Sequence, residues 1–171
     1  MERIRTSVRQ ASFTRPANTT NYTAKDAMGA GSAAGDCIME FPPALAAAGK
    51  TGKIISARLW KDDTGVTNDG FTIYLYQDTP AADPDDNAAP STEFVAIADV
   101  GAYIGKVVFN TTGIVLAGGV FYEGDATIEP SGGIPFHSKD QHGRIFGILT
   151  AVAAYNPASA EVFTVTLEIQ E

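Results

Sequence analysis

The chain has 171 residues, a length that suits one domain with a core large enough to need no disulfide staple, and its single cysteine excludes an internal one. Apolar residues make up 44% and charged residues 19%, with 17 Gly and 9 Pro, a globular composition rich in turns. A net charge of −8 argues against a partner of nucleic acid, no apolar run reaches the ~20 residues of a membrane span, and the opening Met-Glu-Arg-Ile-Arg carries no expected signal peptide.

The charge is unevenly placed. The first fifteen residues hold Arg3, Arg5, Arg9 and Arg15 against Glu2, a balance of +3, whereas the remainder holds 8 basic and 19 acidic side chains, a balance of −11. A basic arm on an acidic body suits attachment to an acidic surface, such as a neighbouring copy or another protein. A solvated terminus is the plainer alternative. Residues 2–9, "ERIRTSVR", alternate Ile4, Thr6 and Val8 against the arginines, which predicts a strand with one apolar face. The stretch from Phe13 to Gly31 then lacks any period. It is polar and rich in Thr and Asn. The sequons at Asn18, Asn21 and Asn110 are expected to be chance matches in a Thr-rich chain.

"DCIMEF" (36–41) predicts a strand, in which Cys37 reads as a small buried hydrophobe. "PPALAAAGK" has room for one helical turn between Pro43 and Gly49. "KIISARLWK" (53–61) predicts a strand, followed by a turn-rich loop over 62–70. "FTIYLYQ" (71–77) is β-branched and aromatic on both faces and predicts a central, covered strand. "EFVAIADV" and "KVVFN" predict shorter strands, "GGVFYEGDATIEPSGG" a hairpin, and "RIFGILTAVAAY" (144–155) a long apolar strand. "EVFTVTLEI" (161–169) alternates: Phe163, Val165, Leu167 and Ile169 point one way, Thr164, Thr166 and Glu168 the other, and the first set is expected to share the core with Ile73 and Leu75. Eight to ten strands with no amphipathic helix predict an all-β antiparallel sandwich, and the long connections favour jelly-roll wiring.

Chemistry-bearing constellations are sparse. The loop from Asp78 to Ser91 gathers Asp78, Asp83, Asp85, Asp86 and Asn87, ligand types that suit calcium. Its spacing departs from a calcium-binding loop, and Asx turns explain the same residues. "HSKDQH" places His137, Asp140 and His142 together, short of a zinc set, and reads as a polar loop. No nucleophile elbow, phosphate loop or metalloprotease motif occurs. The expectation is a protein that is not an enzyme and holds no cofactor or metal.

Three stretches carry a family resemblance. "SFTRPANTTNYTAKDAMGA" resembles a motif near the start of many small structural proteins of tailed bacteriophages, through Phe13, Arg15, Pro16, Thr19 or Thr20, Tyr22 and Asp26. "FTIYLYQDTP" leading to Asp86, Asn87, Ala88 and Ala89 resembles the family's strand and D-N-A-A loop. "RIFGILTAVAAYNPASAEVFTVTLEI" is similar to its last two strands, joined at Tyr155, Asn156 and Pro157. The segment 36–55 departs from the pattern. The resemblance implies a capsid decoration (cement) protein on the outer surface of a virion, jelly-roll-like and often a homotrimer, with the major capsid protein and further copies of itself as partners and no nucleic acid or membrane. An adhesin recognising a host glycan is the alternative, with Trp60 on a strand that reads as core.

On this reading residues 1–22 form an arm and 23–171 the sandwich. The arm's expected contacts with a partner are Arg3, Ile4, Arg5, Val8, Arg9, Phe13, Arg15 and Tyr22.

Overall fold

The computed structural model describes residues 5–33, 35–43, 50–62, 70–81, 84–88, 100–109, 114–116, 119–123, 127–129, 132–137 and 143–171. Every regular element among them is a strand: β1 Thr6–Thr14, β2 Ala27–Met28, β3 Met39–Phe41, β4 Thr51–Lys61, β5 Phe71–Tyr76, β6 Tyr103–Phe109, β7 Ile114–Leu116, β8 Gly119–Glu123, β9 Thr127–Glu129, β10 Ile134–His137, β11 Ile145–Ala151 and β12 Val162–Gln170. They build two six-stranded antiparallel sheets. The first runs β1-β12-β4-β8-β7, with β10 also paired to β4; the second runs β2-β11-β5-β6-β9, with β3 also paired to β11. Both chain ends enter one sheet side by side, with β1 and β12 in register from Thr6 opposite Gln170 to Thr14 opposite Val162. This is a jelly-roll-like β-sandwich.

The alternation in β12 behaves as its sequence requires. Phe163, Val165, Leu167 and Ile169 are fully buried and meet Ile73 and Leu75 from the facing sheet in one core. In β4 the inward positions are Ile54, Ala57, Leu59 and Lys61. A register shift opposite Glu168 and Ile169 inserts one extra residue there, which turns Ile55 outward. β5 and β11 are covered on both faces. A second small cluster of Ala27, Cys37, Tyr76, Phe146 and Ile148, with Ile38, Tyr74, Ala102 and Tyr103 against it, lies apart from the main core. The strand part of the long apolar run, Ile145–Ala151, is thus covered within this chain, while Val152 beyond it is exposed.

Three expectations change. The stretch 118–133 is not a hairpin: β8 joins the first sheet against β4 and β7, whereas β9 joins the second against β6. Long-range pairing overrides the nearest neighbour in sequence. Trp60 lies on a core strand but points away from the core, half-buried. The N-terminal segment is extended, as expected, yet from Arg5 to Tyr22 it lies along its own sandwich rather than standing off it as a separate arm. The expected helical turn after Pro43, the turn-rich loop after Asp62, most of "EFVAIADV", and Asp140 and His142 lie outside the described residues.

Candidate functional site

The aperiodic opening stretch carries the chain from β1, at the edge of the first sheet, across the end of the sandwich to β2 in the second. A segment without a ladder must still satisfy its backbone groups. Arg15 N–H donates to Glu161 O at 2.9 Å. Tyr22 and Tyr155 exchange two backbone bonds of 2.9 and 3.1 Å, and Lys25 N–H donates to Ala151 O at 2.8 Å. The Asp26 carboxylate accepts from Thr23 N–H and, at 2.9 Å, from the Thr23 hydroxyl, closing a turn in which Lys25 adopts φ 75°.

At the centre of this crossing stands Arg15, only 2% exposed. Its Nε donates to the Tyr22 hydroxyl, and Nη1 donates to Ala158 O at 3.2 Å and Asn18 O at 3.5 Å. The Tyr22 hydroxyl donates in turn to Asp86 Oδ1 at 2.5 Å, an oxygen that also accepts Gly29 N–H at 3.0 Å. Arg15 and Asp86 lie 4.0 Å apart, and the guanidinium carbon sits 4.6 Å from the Tyr22 ring centroid. Burial pushes the Tyr22 phenol well above its ordinary range, and the hydrogen bond to the Asp86 carboxylate pushes the same way. The loop that holds Asp86 is itself tied down: Asn87 N–H donates to Ala27 O, Ala27 N–H to Ala88 O and Asp86 N–H to Gly31 O. Parts of the three stretches singled out by sequence, Arg15 to Gly29 in the first, Asp86 to Ala88 in the second and Tyr155 to Ala158 in the third, therefore converge on one buried clasp. Asp86 serves an arginine and a tyrosine there.

A second buried network abuts the first. Lys61 donates to Glu161 Oε1 at 2.9 Å, and the Tyr155 hydroxyl donates to Glu161 Oε2. Tyr155 stacks on Tyr22 at 6.0 Å and meets Phe71 edge-on at 5.4 Å. Sequence reading missed this site because Lys61 and Glu161 are a hundred residues apart. The only local signal was a charge at each position on the inward face of its strand.

The expected partner contacts now divide. Arg15 and Tyr22 are buried in the clasp, where they hydrogen-bond to each other and Tyr22 to Asp86. Phe13 is half-buried and stacks on Phe163 at 5.4 Å. Arg5 is exposed, with its backbone tied to Glu171. Val8 is 59% exposed. Arg9 donates from Nη1 to Val8 O at 2.9 Å and from Nε to Pro43 O. Arg3 and Ile4 lie outside the described residues.

What remains open is one face and one edge. The Arg5–Glu171 pair fixes which residues of β1 face β12, so the alternation of an antiparallel ladder turns the backbone groups of Thr6, Val8, Gln10, Ser12 and Thr14 to the outer edge. Among the described residues, the outward side chains of β1, β12 and β4 form a mostly polar, partly exposed sheet face. A shallow groove there is lined by Val8, Ser56, Arg58, Thr166 and Glu168. Thr164 lies opposite Trp60 on the same face. The Trp60 ring rests on Gly119, where an added Cβ would fall 2.3 Å from the ring.

No family model matches this chain, and no curated protein matches it. Solved structures similar in outline include the decameric BFDV capsid protein (19% identity, TM-score 0.38, covering 98% of this chain and 99% of that one). The carbohydrate-binding module CBM28, specific for non-crystalline cellulose, aligns at 12% identity and TM-score 0.35 over 88% of this chain and 75% of its own. The Desmodium yellow mottle tymovirus structure aligns at 8% identity and TM-score 0.31, covering 99% and 88%.

Proposed function

We propose that this protein is a structural component of a virion, a decoration protein that cements the outer surface of a tailed-bacteriophage capsid. The observation that carries the reading is the convergence of the three resemblance motifs, in their sequence order, on one internal clasp. Motifs that resemble a family in order and also meet in space support this reading. The fold itself assigns no activity. A buried clasp beside a sheet in which β1 and β12 pair along their length suits a protein whose task is to stay folded on a particle surface.

Attachment is assigned to the outer edge of β1, which Val8 borders from the outward face and Arg5 and Arg9 from the other face, with Arg3 and Ile4 preceding them. The +3 balance of the first fifteen residues suits an acidic lattice surface. A partner of this kind would be the major capsid protein, with further copies of this chain, most simply as a homotrimer, completing the lattice site. The test is co-sedimentation with capsids that lack the protein. Val8→Glu is expected to weaken binding at least tenfold and leave the melting temperature unchanged. Unchanged binding by Val8→Glu together with Arg5→Glu would overturn the assignment.

A second reading is an adhesin for a host glycan, favoured by Trp60 standing on the open face beside the hydroxyls of Thr164 and Thr166. Trp60→Ala would then abolish binding to host polysaccharide and leave capsid attachment intact.

A further inference from the structure

Lys61 and Glu161 form an amine–carboxyl pair sealed inside the sandwich. Both side chains have no solvent exposure, and Nζ lies 2.9 Å from Oε1. The surroundings are aromatic. Phe163 sits opposite Lys61 in the register of β12 and β4, and the Tyr155 ring centroid lies 5.5 Å from Nζ. Phe71 packs edge-on against both Tyr155 and Phe163. Two full charges in such a site lose their hydration, so a neutral arrangement of the same atoms competes with the ion pair. The third member, the Tyr155 hydroxyl, hydrogen-bonds to the other carboxyl oxygen, Oε2, and lies 3.5 Å from Nζ.

We infer that this triad is a self-modification site, at which Lys61 and Glu161 condense to an intramolecular isopeptide bond. A proton first moves along the Nζ–Oε1 hydrogen bond, leaving a neutral amine and a carboxylic acid. The Nζ lone pair then attacks Cδ. Negative charge develops on Oε2, where the Tyr155 hydroxyl is already placed to receive it. A second proton passes from nitrogen to the Oε1 hydroxyl, the Cδ–Oε1 bond breaks, and one water leaves. Oε2 becomes the amide carbonyl oxygen and keeps its bond from Tyr155. The sum is Lys–NH₂ plus Glu–COOH giving Lys–NH–CO–Glu plus H₂O, with no oxidant, cofactor or second protein.

Three features favour the step. Fixed juxtaposition makes the attack effectively unimolecular, which in well-oriented systems is worth an effective concentration of roughly 10⁵–10⁸ M. The dry site opposes return of the water. The cross-link would also join β4 to the entry of its neighbour β12, two adjacent strands of the first sheet, and so requires no rearrangement of the ladder.

The experiment is the intact mass of the purified full-length protein, followed by tryptic peptide mapping. The expected result is a species one water lighter than the sequence mass. Cleavage after Lys61 should be lost in it, and the Lys61 and Glu161 peptides should run as one branched product. Lys61→Arg keeps the positive charge and should return the protein to full mass. Tyr155→Phe should slow the approach to the lighter mass at least tenfold in folded protein. A natively folded wild-type protein that stays at full mass through prolonged incubation overturns the inference. So does a water lost elsewhere, such as at the Asp69–Gly70 step, with the two peptides still separate. Because the decisive readout is on the wild type, a variant that fails to fold does not blur the answer.

Discussion

Replacing Arg15 with alanine separates an internal clasp from a docking arm. In the structure the guanidinium is buried, meets the Tyr22 hydroxyl, Asn18 O, Asn18 Oδ1 and Ala158 O, and lies 4.0 Å from Asp86. Truncation leaves the Asp86 carboxylate with the Tyr22 hydroxyl and Gly29 N–H as its donors among the described residues, and leaves Ala158 O without its arginine donor. Breaking a buried pair by removing one member costs about 3–5 kcal/mol. The 4.0 Å separation and the residual exposure of Asp86 place this pair at the low end, near 3 kcal/mol. For a chain of this length each kcal/mol moves the midpoint by about 2–4 °C, so the melting temperature should fall by roughly 6–12 °C. Thermal unfolding followed by far-ultraviolet circular dichroism measures it. A variant that melts within about one degree of wild type and yet loses capsid binding would refute the clasp and restore Arg15 to a partner surface.

Other outcomes follow from the same packing. Leu167→Ala, at a fully buried position, should cost about 2–5 kcal/mol in denaturant unfolding; a loss under half a kcal/mol would mean the inward face of β12 is misassigned. Gly119→Ala should destabilise by about 1–3 kcal/mol, because the new Cβ falls 2.3 Å from the Trp60 ring and 2.4 Å from Lys61 O, and a Trp60→Ala partner should relieve part of that. Tyr22 titrates above its usual value when folded, so its contribution is full below pH ~10, where the unfolded phenol keeps its proton, and declines as pH rises beyond that. Stability measured from pH 8 to 12 should therefore drop more gently in Tyr22→Phe than in wild type.

How much of this was legible in the sequence depends on the range of the interaction. The clean alternation of Phe163 to Ile169 specified a strand and its buried face, because period two is a local property. The outward position of Trp60 was hidden by Lys61: a buried lysine next to a half-buried tryptophan reverses the usual preference and is tolerable only because Glu161, a hundred residues on, meets the charge. The hairpin expected at 118–133 failed for the same reason. Its two strands find better partners in β4 and β6 than in each other. Arg15, Tyr22 and Asp86 were visible as motif residues, yet their roles were not, since an arginine near a polar terminus looks the same whether it meets a neighbour or its own chain.

The central claim is that this protein sits on a capsid and binds it through the outer edge of β1. The most direct measurement is cryo-electron microscopy of the virion, or of purified capsids reconstituted with this chain, at a resolution that orients the sandwich. The account predicts density for this protein on the outer capsid surface, with the outer edge of β1, bordered by Val8 on one side and Arg5 and Arg9 on the other, against the lattice and the Arg15–Tyr22–Asp86 clasp enclosed within each subunit. Density confined to a tail or fibre tip, or a subunit seated on the capsid through the opposite sheet with β1 facing solvent, would contradict it.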